Sequence, residues 1–202
     1  LAGGLNSRYS GRNKAFIPVW GKRILDRLYE VFQEVFEKII LVTNDPLKYL
    51  EWDLTIVTDI FPYRSSLTGI HAGLFFVETP FAFFAACDAP FLKTEVVEMI
   101  VGSIETGFDI VIPETSSGFQ PLCAVYAKKC IRSIERQISQ KNFKIEGFFQ
   151  SQRIKRIPEE LLRVKDPSLV SFFNVNTPQD LAMAEASLSF PDQDDPGLKP
   201  TN

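Results

Sequence analysis

Phe81-Ala82-Phe83-Phe84-Ala85-Ala86-Cys87-Asp88-Ala89-Pro90-Phe91 is the stretch on which the architecture turns. An apolar run reaches an aspartate, and Ala89-Pro90 then forces a turn. Such a run, of strand length, suits a β-strand buried on both faces, as in sheets covered by helices on either side. Asp88 then stands at the carboxyl end of a buried strand, where ligands bind in open α/β sheets. The same arrangement recurs upstream. Residues 39–42 suit a short, wholly apolar strand with Asn44 beyond it, and 54–58 are a second strand candidate with Asp59 beyond it. Between these strands lie helical patterns. Over 23–38, Ile24, Leu25, Leu28, Val31, Phe32, Val35 and Phe36 recur at helical spacing, and 68–77 also reads as a helix. Downstream, Thr94 is expected to be an N-cap, with Glu95 and Glu98 in the first turn of a helix reaching about Thr106. Residues 108–112 are the next strand.

Strands alternating with helices predict an α/β fold of three layers: a doubly wound, mostly parallel, Rossmann-like sheet. The second half is less regular. Strands are expected at 122–127, 154–157 and 172–175, with a helical stripe at Ile131, Ile134 and Ile138. Thr177-Pro178-Gln179-Asp180 is a helix start, with Thr177 as N-cap, Pro178 at the first position and an acid at the third, and its helix runs to about 188. Residues 1–190 read as a single domain. Residues 191–202 lack periodicity and read as a disordered tail.

The chain has 202 residues and a formal net charge of −3, so no basic field favours nucleic acid. No apolar stretch is long enough to span a bilayer, and no signal peptide is visible. Three cysteines, Cys87, Cys123 and Cys130, include no C-x-x-C pair and read as reduced, buried thiols of a cytoplasmic protein. His71 is the only histidine, which argues against a zinc site of mixed ligands. No G-x-S-x-G elbow is present for a serine hydrolase. Leu1 has no methionine before it, and a short apolar strand is expected to precede it and launch the adjoining loop.

That loop is Leu1-Ala2-Gly3-Gly4, with Arg8 and Asn13-Lys14-Ala15 downstream. Adjacent glycines let a backbone turn tightly and approach a ligand, and exposed amides can point at phosphate oxygens. Arg8 and Lys14 offer a forked donor and a point charge for the same anion. It is neither the G-x-G-x-x-G fingerprint nor the P-loop. Taken alone, the glycine pair serves equally well as a simple turn. Asp88 can hold Mg²⁺, which takes one or two protein carboxylates plus phosphate and water, or it can bond its own backbone in a turn. Asn44 and Asp59 are either strand-end turn residues or groups that read the donor and acceptor edge of a base. Asn174 and Asn176 alternate on a strand that leads into a helix N-terminus and so face one side, or they belong only to the helix entry.

The L-A-G-G-x-x-x-R run and N-K-A resemble the signature of the molybdenum cofactor guanylyltransferase family of nucleotidyltransferases. Four further segments fit in the same order: Val42-Thr43-Asn44, Asp59 with Leu67-Thr68-Gly69-Ile70, Cys87-Asp88-Ala89-Pro90-Phe91, and Asn174-Val175-Asn176-Thr177-Pro178. The resemblance covers residues 1 to 188. It implies a Mg²⁺-dependent enzyme that transfers GMP from GTP to molybdopterin and releases pyrophosphate. In that reading Arg8, Lys14 and Asp88 are catalytic and Asp88 holds the metal. Leu1, Ala2, Gly3, Gly4, Lys14, Asn44, Asp59 and Asp88 bind the nucleotide, and Gln120, Asn174 and Asn176 lie toward the acceptor. Molybdoenzymes or their chaperones are further partners such a role implies. The chain departs from the family in two loops: Arg8-Tyr9-Ser10 stands where R-M-G is frequent, and Ser65-Ser66-Leu67 where G-P-L is frequent. Competing readings are a relative that uses CTP or another NTP with a pterin or sugar-phosphate acceptor, and a non-catalytic nucleotide-binding protein of the same fold. Relatives that use other nucleotides more often begin L-A-A-G.

Overall fold

The computed structural model describes residues 1–3 and 13–187. A 3-10 turn at Lys14–Phe16 leads into the hairpin β1 (Pro18–Val19) and β2 (Lys22–Arg23). Then come α1 (Ile24–Val35), β3 (Ile40–Val42), β4 (Thr55–Val57), α2 (Ser66–Phe76), β5 (Phe81–Ala85), α3 (Thr94–Gly102), β6 (Ile110–Thr115), β7 (Gly118–Phe119), β8 (Cys123–Ala127), α4 (Ile131–Ser139), β9 (Ile154–Pro158), α5 (Glu159–Lys165) and α6 (Pro178–Ser187).

Alternation along the strands decides which helices lie on which face. Ala85, Val111, Cys123 and Val125 point to one side, where they meet Ile24 and Leu28 of α1, Val96, Val97 and Ile100 of α3, and Leu162 of α5. Phe84, Ile110, Ile112, Ala124 and Tyr126 point to the other, against Leu67, Ile70 and Leu74 of α2 and Ile134 and Ile138 of α4. The three layers expected from the pattern are therefore present. α2 is buried almost throughout, from Leu67 to Leu74, because it is apolar on nearly every side. Its Gly73 packs directly on the Phe84 ring of β5: a Cβ there would stand 2.4 Å from a ring carbon.

β3 and β4 pair in parallel, and β6 pairs in parallel with β9. β8 runs antiparallel between β5 and β6, so the sheet is mixed. The physical reason is the short β6–β8 link: it carries β7 back along β6 instead of a helical crossover, which a parallel return needs. Leu1 and Ala2 lie in extended form between β3 and β5. The Ala2 N–H donates to Val42 O (2.8 Å), the Leu1 amino group to Ala85 O (2.7 Å), and the Cys87 N–H to Leu1 O (3.0 Å).

Several local expectations change. α1 ends at Val35, not 38, because Phe36 turns extended and stacks on Phe83 at 5.8 Å. Thr94 is the first helical residue of α3 and not its cap. Lys93 holds that position, with its N–H donating to Ser171 Oγ (3.2 Å), while the Thr94 hydroxyl donates to Glu34 (2.7 Å). α3 stops at Gly102, short of Thr106, where the Ser103 N–H turns back to Ile100 O and Val101 O. The strand expected at 172–175 does not form. Leu169 takes a left-handed conformation (φ 55°), a 3-10 turn covers Val170–Phe172, and residues 173–175 pair with no strand among the described residues. The helix start at Thr177 is as expected: Asp180 accepts from the N–H groups of Asn176 and Thr177, and Thr177 Oγ1 accepts from the Asp180 N–H. The hairpin β1–β2, unforeseen, turns on Trp20-Gly21, both at positive φ. Gly4, Arg8 and the tail 191–202 lie outside the described residues.

Candidate active site

At the carboxyl ends of β3, β4 and β5 the structure opens a cleft of about 340 Å³. Leu1, Gly3, Lys14, Thr43, Asn44, Asp59 and Asp88 line it, with Arg64, Ser65 and Ser66, Gly69, Cys87 and Asn176. Its polar side chains form two clusters.

Lys14, Asp88 and Asn176 make the first. The Lys14 ammonium donates to Asn176 Oδ1 at 2.7 Å and stands 3.4 Å from Asp88 Oδ2. These side chains come from three remote segments, and each is held from behind. Asn13 caps the 3-10 turn that carries Lys14: its Oδ1 accepts from the Ala15 N–H (3.1 Å). The Asn13 amide also donates to the Tyr49 hydroxyl (2.6 Å), which donates to Ala2 O (3.2 Å). Burial pushes the Tyr49 phenol up to about 12, so it stays protonated and keeps both roles. Asp88 leaves β5 through a backbone that accepts from the Val175 N–H (2.8 Å), and this bond brings the chain before α6 against the aspartate.

Asn44 and Asp59 make the second cluster. Parallel pairing of β3 with β4 sets their strand ends side by side, and the Asn44 amide donates to Asp59 Oδ2 at 2.7 Å. The Asp59 N–H reaches back to Asn44 Oδ1 (3.4 Å). Gly3 belongs near this pair, since a Cβ there would stand 3.7 Å from the Asn44 amide nitrogen.

Of the remaining candidates, Leu1 lines the cleft, whereas Ala2 is buried behind it with Tyr49. Gln120 is not part of the wall: its amide donates to Thr115 Oγ1 (3.0 Å) in the β6–β7 turn, and Leu122 lines the cleft instead. Asn174 is exposed and outside the cleft, because without a strand at 172–175 it does not share a side with Asn176. Sequence reasoning missed Arg64; its one signal is its place shortly after Asp59, at the approach to α2. Cys87, expected only as a buried thiol, stands in the wall beside Asp88. Burial pushes it up to about 11, so it stays neutral there. His71 is a core residue, with Nε2 3.2 Å from Glu135 Oε1 between α2 and α4.

The described side chains of the cleft thus include two cations, Lys14 and Arg64, and two carboxylates, Asp59 and Asp88. Among the described residues no three His, Cys, Asp or Glu gather as a metal cage. Asp88 offers a single hard oxygen ligand at the cleft, a donor set that suits a cation completing its shell with ligand and water oxygens.

A MobA-like NTP transferase domain matches residues 1–157. A molybdenum cofactor guanylyltransferase from Desulfosudis oleivorans is 44% identical over 93% of each chain. A probable molybdenum cofactor guanylyltransferase from Natranaerobius thermophilus is 33% identical, over 93% of this chain and 94% of its own. The crystal structure of molybdopterin-guanine dinucleotide biosynthesis protein A from Archaeoglobus fulgidus superposes with a TM-score of 0.80 at 31% identity, covering 92% of this chain and 95% of that one.

Proposed function

The chain belongs to the MobA-like NTP transferase domain family, and on that footing we propose that it transfers GMP from GTP to molybdopterin, releasing pyrophosphate. An oxygen of the acceptor's terminal phosphate attacks the α-phosphorus. The bond from the α-phosphorus to the bridging oxygen breaks, and that oxygen leaves with pyrophosphate. No side-chain nucleophile is needed; the work is alignment and charge stabilisation.

The observation that carries this reading is the Lys14 ammonium held between Asp88 and Asn176 in the same cleft as the Asn44–Asp59 pair. Lys14 has the charge and position to bind the triphosphate and stabilise the negative charge that develops on it. Arg8 is assigned the same role from the sequence alone. Asn44 and Asp59 are the base readers of this proposal. A carboxylate opposite the N1–H and 2-amino donors favours guanine over adenine. Asp88 is the residue that would hold Mg²⁺, and the single carboxylate fits an ion that shares its shell with phosphate oxygens and water. Such an ion, when bound, would neutralise phosphate charge that the described cations of the cleft, offset by its two described carboxylates, leave uncompensated. Asn176 orients Lys14, and the acceptor is expected to approach from the side of the segment that carries it.

Pyrophosphate release across four nucleoside triphosphates, with Mg²⁺ and with or without a molybdopterin source, tests the proposal. Release that requires both GTP and the pterin is expected. Turnover with CTP or UTP and none with GTP overturns it.

A further inference from the structure

The loop before α2 ends in Ser65-Ser66, and the structure shows how its junction with the helix is fixed. Ser65 and Thr68 close a reciprocal cap: Ser65 Oγ accepts from the Thr68 N–H (3.1 Å), and Thr68 Oγ1 accepts from the Ser65 N–H (3.1 Å). Thr68 is fully buried. Its hydroxyl also lies 2.8 Å from Ser65 O, 3.1 Å from Tyr63 O and 3.3 Å from Asp59 Oδ2. A hydroxyl has one proton to give, and of these three acceptors only the carboxylate is charged. The shortest of the three contacts is to Ser65 O, and the one to Asp59 falls on the oxygen that also accepts from the Asn44 amide at 2.7 Å. Asp59 Oδ1 accepts no hydrogen bond from the described residues, and it lies 3.9 Å from where a Cβ on Gly69, a cleft residue, would stand.

We propose that Thr68 is a positioning residue for base selection: its buried hydroxyl and Asn44 hold one oxygen of Asp59, so that the other is presented to the nucleotide base. The capping box ties the helix start to the base-reading carboxylate. The inference rests on the reading that Asp59 meets guanine.

The test compares the affinity of GTP with that of inosine triphosphate, which lacks the 2-amino donor, by calorimetry with Mg²⁺ and no acceptor. Thr68→Val, nearly isosteric but without the hydroxyl, should cut the preference for GTP by about fivefold, the worth of one ordinary hydrogen bond. Thr68→Ser should restore it. Thr68→Ala, favourable in a helix, makes the same comparison should the valine variant fail to fold, and melting curves report folding. Asp59→Asn should remove the preference directly. If Thr68→Val or Thr68→Ala leaves the preference within about twofold of the parent while Asp59→Asn removes it, Thr68 has no such role and the base reading stands. If Asp59→Asn leaves the preference unchanged, the base reading fails and this inference with it.

Discussion

The two polar clusters of the cleft are built on opposite plans. Lys14, Asp88 and Asn176 come from segments far apart in sequence and meet through side chains, at 3.4 Å for the ion pair and 2.7 Å for the amide. Asn44, Asp59 and Thr68 lie within one β–loop–β–loop–helix run and are fixed by a parallel ladder, a helix cap and a buried hydroxyl. The first arrangement is a charge pair at the cleft wall, with 17% and 22% of its side chains exposed, whose partners a charged ligand can replace. The second is preorganised and has little freedom to adapt to a ligand. The contrast matches what the proposed reaction asks. Charge must be redistributed where the phosphates react, whereas a base is discriminated by donors and acceptors that do not move.

Substitutions can break or sharpen this contrast. Asp88→Ala should have the largest effect, lowering guanylyl transfer by about a thousandfold. Melting curves separate this effect from a loss of folding, since Asp88 and its partner Lys14 are both largely buried. Undiminished turnover removes Asp88 from the mechanism. Lys14→Ala should come next, with kcat/KM down by about a hundredfold in steady-state assays and the GTP preference over inosine triphosphate retained. A collapse of that preference would show the two clusters to be one unit.

Gly73→Ala should act on the other cluster through packing. A methyl 2.4 Å from Phe84 forces α2 away from β5, and overpacking of this kind costs about 1–3 kcal/mol in denaturant melts. The GTP preference should fall with it, since Thr68 moves with the helix. Smallest is Tyr49→Phe, which cuts the link from Asn13 to Ala2 behind Lys14 and should lower kcat/KM a few-fold. Its signature is in stability against pH. Burial raises the phenol from 10.0 to about 12, so the neutral form is the one the fold favours. The parent's Tyr49 contribution is complete below pH 10 and is lost as pH rises toward 12, and the phenylalanine variant should lack that loss. Parallel curves for parent and variant over that window contradict the assignment.

Much of this is legible in the chain itself. The runs ending at Val42, Val57 and Ala85 form strands whose last residues are buried. The residues just beyond them, Asn44, Asp59 and Asp88, line one cleft because parallel strands end on the same side. Asp180 beside Thr177 is readable as a cap from composition alone. Other features could not be read. Gln120 and Asn174 carry suitable side chains, but their direction depends on a turn and on a strand that does not form. Arg64 has no local pattern to mark it, and its place at the cleft depends on the loop between β4 and α2. The cap of α3 falls on Lys93 and not on Thr94 because Ser171, remote in sequence, supplies the partner.

By itself, the sequence determined the layered α/β architecture, the strand ends that line the cleft and the residue types available there. Hydrophobic periodicity and turn chemistry are local, and each is decided within a few residues. Only the tertiary structure decided that Lys14 meets Asn176 as well as Asp88, that Tyr49 stands behind the glycine run, and that Thr68 reaches Asp59. Those pairings rest on the order of strands in the sheet and on how closely α2 lies against β5, which are properties of the packed whole that no short stretch of chain encodes.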